Sequence, residues 1–432
     1  MDTRIVEPLR EFREFEITLP SSKSLTQRAF ICASLANGKS QILNPLQSED
    51  PLLLKGALEK TGVTFLTGER ALEVEGVAGK PTLKGDAIYL GNNGTGARFF
   101  LAFASLGEGG YVDLYGKERL HERPMSDLIL SLRQLSAKIE CLQREGYFPV
   151  RVQASQLKSA SINIPGHISS QFISALLLIG PYLPEGLDIT IEGELFSKSY
   201  IDMTIEVMGK FGVEVESKER GYFVKSQRYK AVNYEVPADA SSASYFLSLP
   251  LVLGKGKVII RNYDYESKQA DSVFLDFIRE MGAEVKTLDP LGVEVSFTGK
   301  PKGGRFNLRD CPDLFPTMAV LGAVAEGETV LYGAPHLRFK ETDRVRAMAT
   351  ELSKLGVKVE ELSDGIKIFG SKCLGSKRIH TYDDHRLAMA FAILALKIGP
   401  LAIENPQCVE KSLPTFWSFL DELYEKNIVD RV

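Results

Sequence analysis

The chain has 432 residues, 44% of them hydrophobic and 25% charged, with a formal net charge of −4. That length asks for two or three domains, and the near-neutral balance lacks the general basic footprint of a nucleic-acid binder, so any cationic site is local. Cys32, Cys141, Cys311, Cys373 and Cys408 are odd in number and form no C-x-x-C pair, which argues against a disulfide framework or a structural zinc site and favours a reducing compartment.

The N-terminal stretch MDTRIVEPLREFREFEITLP mixes charges throughout and does not read as a signal peptide. The most apolar run, Leu387 to Leu396, is about half the length of a membrane span. The protein therefore reads as soluble and cytoplasmic.

In chain order, the strand EFEITLP leads into an apolar helix announced at Ser24 (SLTQRAFICASLANGKSQI). A strand KSQILNP, an amphipathic helix ending in LEKTGVTF and a strand ALEVEGV follow. The same order then returns. Apolar helices are announced again at Thr95, Ser169, Ser241, Asp313 and Asp383 or Asp384, in steps of 71, 74, 72, 72 and 71. The ends of the amphipathic helices recur at Gly62, Ser136, Gly212, Gly282 and Gly356, where a left-handed residue closes a helix at least cost. Asn427, within LYEKNIVD, is the degenerate sixth candidate. Two phrases sharing one period predict six units of about 72 residues, each with one helix apolar all round and one amphipathic. Six units that cannot bury their own faces point to two groups of three rather than a linear solenoid.

The announced helix starts are all strong N-cap types, but capping does not explain the cations beside them. Lys23 and Arg28 bracket the first start, Arg98 follows the second, and Arg386 follows the last. The positive end of a helix disfavours cations by a few tenths to about 1 kcal/mol each, so their recurrence predicts bound anions. In Arg338-Phe-Lys-Glu-Thr-Asp-Arg344, Lys340 and Arg344 are i,i+4 like charges that either Glu341 and Asp343 or an anion must offset. The loop Gly91-Asn-Asn-Gly-Thr-Gly96 runs into a helix but matches neither standard nucleotide-binding glycine pattern. The five histidines show no metal-ligand spacing.

PSSKSLTQR (20–28), LGNNGTGAR (90–98), HERP (121–124), SSQF (169–172), SKSYIDMT (197–204), DASSASYF (239–246), RFKETDR (338–344), DDHRLAMAF (383–391) and CVEKSLPTFW (408–417) stand in one order. Together they resemble the 5-enolpyruvylshikimate-3-phosphate synthase family (3-phosphoshikimate 1-carboxyvinyltransferases) over essentially the whole chain. The resemblance implies an α/β fold, a two-domain inside-out α/β barrel of six βαβαββ units, three per domain. It further implies a C-terminal lobe of residues 1–19 plus 239–432, an N-terminal lobe of 20–238, and an active site in the cleft between them.

The implied reaction moves the enolpyruvyl group of phosphoenolpyruvate onto the 5-hydroxyl of shikimate-3-phosphate and releases phosphate, with no cofactor and no metal. By the same resemblance Asp313, Glu341 and Lys23 are catalytic. Lys23, Ser24, Arg28, Ser169, Ser170, Gln171, Ser197, Asp313 and Lys340 bind shikimate-3-phosphate. Lys23, Gly94, Arg123, Gln171, Arg344, Arg386 and Lys411 bind phosphoenolpyruvate. Asp313 takes the 5-hydroxyl proton and Glu341 protonates the enol methylene.

Gln27 stands where the family usually has Asn, Phe99 where it often has Pro, and His336 where some relatives place a substrate-contacting Asn, a role not carried over to His336. Phe99 is expected to shift the loop of Gly94 and weaken the inhibitor glyphosate, which shares the phosphoenolpyruvate pocket, more than the substrate. The sister enzyme acting on UDP-N-acetylglucosamine carries a loop Cys, absent from Tyr111 to Pro124. A non-catalytic scaffold does not account for the joint presence of Lys23, Asp313, Glu341 and Arg386. An RNA-end-processing relative is disfavoured by the net charge. Partners are thus small molecules, with neither nucleic acid nor membrane, and the chain reads as a monomer.

Overall fold

A computed structural model describes residues 2–68, 71–158, 161–370 and 377–428; Cys373 and the end of LYEKNIVD lie outside them. The 72-residue period is a strand–helix–strand–helix–strand–strand unit. In 86–153 the first strand, Asp86–Tyr89, pairs parallel with Tyr111–Tyr115. That second strand pairs antiparallel with the fourth, Val150–Gln153, and the third, Lys138–Cys141, lies outside the fourth. Five of the units build a four-stranded sheet in this order, and the sixth a three-stranded one.

Each unit's first helix is buried: α1 (Lys23–Leu35), α2 (Gly94–Ser105), α3 (Ser170–Ile179), α4 (Ala240–Leu247), α5 (Phe315–Val324) and α6 (His385–Ile398). In α6 every side chain from His385 to Leu396 is buried, because from Leu387 to Leu396 the run offers no polar face. Truncating one such side chain, Leu394→Ala for example, is expected to cost roughly 2–5 kcal/mol. The second helices are amphipathic. Arg344–Lys354 buries Val345, Ala347, Met348 and Leu352 and leaves Arg346 and Thr350 outside. The predicted left-handed closures stand at Gly62, Ser136, Gly212, Gly282 and Gly356, all with φ between 74° and 105°.

The chain divides into two compact units, Ser21–Pro237 and Met1–Pro20 with Ala238–Val432. In the first, the strand Asn233–Glu235 takes the first-strand place beside Lys39–Leu43. In the second, Glu14–Ile17 takes that place beside Lys257–Ile260, and Thr3–Val6 pairs antiparallel with Leu401–Glu404. Alternation carries the pairing: Phe15 and Ile17 point inward while Glu14 and Glu16 face out.

Two expectations are corrected. Asn427 closes no helix: Phe416–Ile428 runs through it and its amide donates to the Leu423 carbonyl at 2.7 Å. The caps of the first, second and fourth buried helices sit two residues before the announced position. Ser22, Asn93 and Asp239 accept from the N–H groups of Leu25 (3.4 Å), Gly96 (2.8 Å) and Ser242 (2.8 Å). A cap must lie two or three residues ahead of the N–H it satisfies. Ser24, Thr95 and Ser241 are therefore inside the first turn and not needed for capping. Ser169 and Asp384 do cap α3 and α6, whereas Asp313 caps nothing and lies in the 3-10 turn Pro312–Leu314.

Candidate active site

In the unit 21–237 the starts of α1, α2 and α3 are knitted together by side chains from the recognised phrases. Lys23 Nζ reaches Asp50 Oδ2 at 3.1 Å, both buried. Asn93 Nδ2 donates to Gln27 Oε1 at 2.8 Å and to the Asp50 carbonyl at 2.7 Å. Gln171 sits between helices: its Oε1 accepts from Arg98 Nη1 at 2.5 Å and its Nε2 donates to Thr95 Oγ1 at 2.9 Å. The Arg98 guanidinium lies 5.1 Å over the Phe172 ring. Ser169 and Gln171 are half-buried and Ser170 buried at the same start.

Arg28 has 0% exposure and spends its donors inside the unit. Nε donates to Thr204 Oγ1 at 2.8 Å, Nη1 to the Ser24 carbonyl at 3.0 Å and Nη2 to the Tyr200 carbonyl at 3.0 Å. Its flat face rests 5.2 Å from the Phe99 ring. Burial without a carboxylate lowers its pKa to about 10, so it stays charged at neutral pH. Arg28 thus ties the first phrase to SKSYIDMT, where Ser197 adopts the left-handed φ of 57° before helix Lys198–Lys210. Gly94 faces the Arg123 guanidinium so closely that a Cβ would lie 2.5 Å from Cζ. Arg123 Nη1 donates to the Asn92 carbonyl at 3.3 Å.

The other unit gathers Asp313, Glu341, Arg344, Asp384 and Arg386. Arg344, its side chain 1% exposed, gives Nε to Asp384 Oδ2 at 2.7 Å, Nη1 to Asp313 Oδ1 at 2.8 Å and Nη2 to Glu341 Oε2 at 2.9 Å. Arg386 Nη2 reaches the second Asp313 oxygen at 2.7 Å. Burial pushes the Asp313 carboxyl up, but Arg386, Arg344 and Lys340 outweigh it and hold it well below the usual carboxylate range. Burial likewise works against the charge of Arg344, yet Asp384, Glu341 and Asp313 together raise its pKa. Asp343 takes a structural part: it caps Arg344–Lys354 through Arg346 N–H and pairs with Arg338 at 3.0 Å. Lys340 ends the 3-10 turn Pro335–Phe339. His336, in that turn, is driven down to about 3, first by burial and then by Lys340. Lys411 is buried at the end of Pro406–Lys411, which packs on α6.

Both sets place cations at or near helix starts, with carboxylates of the chain itself against them: Asp50 on Lys23, and Asp313 on Arg344 and Arg386. The sequence profile of the family described as EPSP synthase (3-phosphoshikimate 1-carboxyvinyltransferase) matches residues 13–420.

The chain belongs to the EPSP synthase family.

A relative from Sulfurovum sp. (strain NBC37-1), named 3-phosphoshikimate 1-carboxyvinyltransferase, is 40% identical over 98% of this chain and 99% of its own. One of the same name from Methanothermobacter thermautotrophicus is 41% identical over 93% and 94%. Among solved structures, an EPSP synthase from Acinetobacter baumannii superposes with a TM-score of 0.80 at 25% identity, over 98% of both chains. The enolpyruvyl transferase NikO from Streptomyces tendae shares the fold at a TM-score of 0.75 and 15% identity, over 98% and 97%. The expected enolpyruvyl-transferase fold is thereby established.

Sequence reasoning missed Asp50, Asn93, Tyr245, Thr204 and Asp271. Each is an ordinary polar or aromatic residue in sequence, and only its partner, Lys23, Gln27, Arg386, Arg28 or Ser241, gives it weight. No helix among the described residues is long and apolar enough to cross a membrane, and no His/Cys/Asp/Glu group among them is placed to hold a metal.

Proposed function

We propose that this chain transfers the enolpyruvyl group of phosphoenolpyruvate to the 5-hydroxyl of shikimate-3-phosphate, giving 5-enolpyruvylshikimate-3-phosphate and phosphate in aromatic amino acid biosynthesis. Beyond family membership, one observation carries the reading: the two carboxylates the reaction needs, Asp313 and Glu341, share the guanidinium of Arg344. A proton must arrive at carbon while another leaves oxygen, and two separately held carboxyl groups can do both.

In this mechanism Glu341 delivers a proton to C3 of phosphoenolpyruvate. Positive charge develops at C2, the 5-oxygen bonds there, and Asp313 takes the hydroxyl proton. Glu341 then removes a methyl proton as the C2–O bond to phosphate breaks, and the proton held by Asp313 leaves with the phosphate. Arg344, Arg386, Arg123, Lys411, Lys23 and Gln171, with the Gly94 backbone, hold the anionic groups of phosphoenolpyruvate and its tetrahedral adduct. The carboxylate of phosphoenolpyruvate competes with Asp313 for Arg344 and Arg386, so its binding frees Asp313 to act as a base. Lys23, Ser24, Ser169, Ser170, Gln171, Ser197 and Lys340 hold shikimate-3-phosphate. Arg28 contributes through the segments it grips, Ser24 and Tyr200 next to Ser197. No cofactor enters this chemistry.

The chain is further read as a cytosolic monomer; the unpaired thiols of Cys32, Cys141, Cys311 and Cys408 suit a reducing compartment. Phosphate release from phosphoenolpyruvate should require shikimate-3-phosphate and stay silent with UDP-N-acetylglucosamine in its place. No release with shikimate-3-phosphate would sink the assignment.

A further inference from the structure

The fourth helix start, at Ser241, carries chemistry that neither capping nor the roles above absorb. Asp239 is the cap there. The Ser241 hydroxyl instead bonds Oδ2 of Asp271, in the short turn Ala270–Val273. Asp271 is 2% exposed, its Oδ1 is buried without a hydrogen-bond partner, and among the described residues no cation forms an ion pair with it. The charged and titratable groups facing it are Asp239 at the cap of α4, Asp313 and Cys311 at the turn before α5, Arg386 on α6 and Tyr263 on the preceding loop. The Arg386 guanidinium is engaged by Asp313 at 2.7 Å.

A carboxylate buried with one hydroxyl for company relieves its desolvation by keeping its proton. Burial first, then the charge of Asp313, lifts Asp271 to about 7, with Arg386 and Ser241 pulling the other way. Asp313, held by two guanidinium groups, stays ionised. Below about pH 7 the two carboxyls therefore stand in opposite protonation states, which is how sites separate an acid from a base.

We propose that Asp271, carried on Ser241, is a positioning residue for the transfer: neutral, it leaves Arg386 to Asp313 and the anionic substrate; ionised, it draws on that guanidinium and weakens the grip on phosphoenolpyruvate. The proposal rests on the functional reading above. It concerns a group that touches no substrate and acts through Arg386 and Asp313.

The test compares wild type, Asp271→Asn and Ser241→Ala. In wild type, kcat/KM for phosphoenolpyruvate falls on the alkaline side through the Asp271 ionisation, by up to about tenfold per pH unit on that limb. Asp271→Asn, neutral at every pH, loses this limb while keeping its activity at the acid end. Ser241→Ala, stripped of the hydroxyl that favours the ionised form, moves the limb to higher pH. Isotope-edited infrared spectra with labelled aspartate read the same group without turnover: a protonated-carboxyl band at neutral pH in wild type, absent from Asp271→Asn. An unchanged pH profile in both variants, or no such band in wild type, overturns the proposal. If Asp271→Asn fails to fold, Ser241→Ala and the wild-type band decide it. If wild type releases no phosphate, the functional reading fails while the infrared titration still reports on Asp271.

Discussion

Arg344 donates through Nε to Asp384 Oδ2 at 2.7 Å, a buried bond that joins two phrases 40 residues apart, RFKETDR and DDHR. The rest of the same planar fork serves Asp313 and Glu341. A lysine offers one point charge in place of a rigid fork and cannot hold three carboxylates at these angles. Arg344→Lys is expected to lower kcat/KM for phosphoenolpyruvate by well over tenfold. It should also destabilise the fold, since stripping a partner from a buried charge pair costs about 3–5 kcal/mol. Steady-state kinetics and urea unfolding check the two effects separately, and wild-type values in both would contradict the assigned geometry.

Asp313→Asn and Glu341→Gln should each remove a proton-transfer group and slow turnover by about 10²–10⁴-fold. Substrate binding, followed by calorimetry or fluorescence, should remain detectable in both. Near wild-type rates for either variant would remove that residue from the mechanism.

The close approach of Gly94 to Arg123 gives a third expectation. A Cβ at Gly94 would meet the end of a flexible side chain, so Gly94→Ala should fold normally but push the Arg123 guanidinium aside. KM for phosphoenolpyruvate should rise several-fold while thermal stability barely moves. At Gly96 a Cβ would come within 2.2 Å of Asn93 Nδ2, which is locked by Gln27 and the Asp50 carbonyl. Gly96→Ala should therefore lower the melting temperature as well as activity.

His336, driven down to about 3 by burial and Lys340, remains neutral when folded and gains a proton near pH 6.5 when unfolded. The unfolded state then binds more protons. Stability contributed by this group is complete above pH 6.5 and is lost by about 1.4 kcal/mol per pH unit as the pH falls towards 3. Asp313, whose folded pKa is depressed, adds stability above the ordinary aspartate range that is lost only at still lower pH. Urea titrations of wild type and His336→Asn between pH 4 and 8 should diverge below pH 6.5. The His336 ring proton should show no NMR titration across that range.

Phe99, three residues after Gly96, is buried under the face of Arg28. Glyphosate should bind weakly, with an inhibition constant at or above KM for phosphoenolpyruvate. A tight constant, well below that KM, would dismiss the idea. Phe99→Leu removes the ring stacked on Arg28 and should raise KM for shikimate-3-phosphate more than KM for phosphoenolpyruvate.

The repeat was legible because periodic burial writes itself into sequence: apolar runs at Phe99–Ala104 or Leu387–Leu396 have one physical use. Helix closures were legible too, since Gly62 and Gly356 occupy backbone conformations that tax a side chain. The caps were harder. In Ser21-Ser-Lys-Ser24 and Asp239-Ala-Ser-Ser242 several residues can cap, and only the path of the incoming strand selects Ser22 and Asp239. The cations at the helix starts were readable, but their carboxylate partners were not. Asp50 faces Lys23 across 27 residues of chain, and Asp313 faces Arg386 across 73, distances at which sequence carries no pairing signal.

The strand exchange near the N-terminus has a consequence for synthesis. Unit 21–237 draws every strand of its sheets from its own stretch, so it can fold as soon as it leaves the ribosome. The strand Glu14–Ile17, made earlier, must wait for Lys257–Ile260, and Thr3–Val6 must wait for Leu401–Glu404. At about 5–20 residues per second these segments stay unpaired for roughly tens of seconds. Glu14, Glu16 and the charged run Arg10-Glu-Phe-Arg13 keep that waiting ribbon from pairing with another nascent chain. The middle of this polypeptide is finished first, and its two ends are sewn together last.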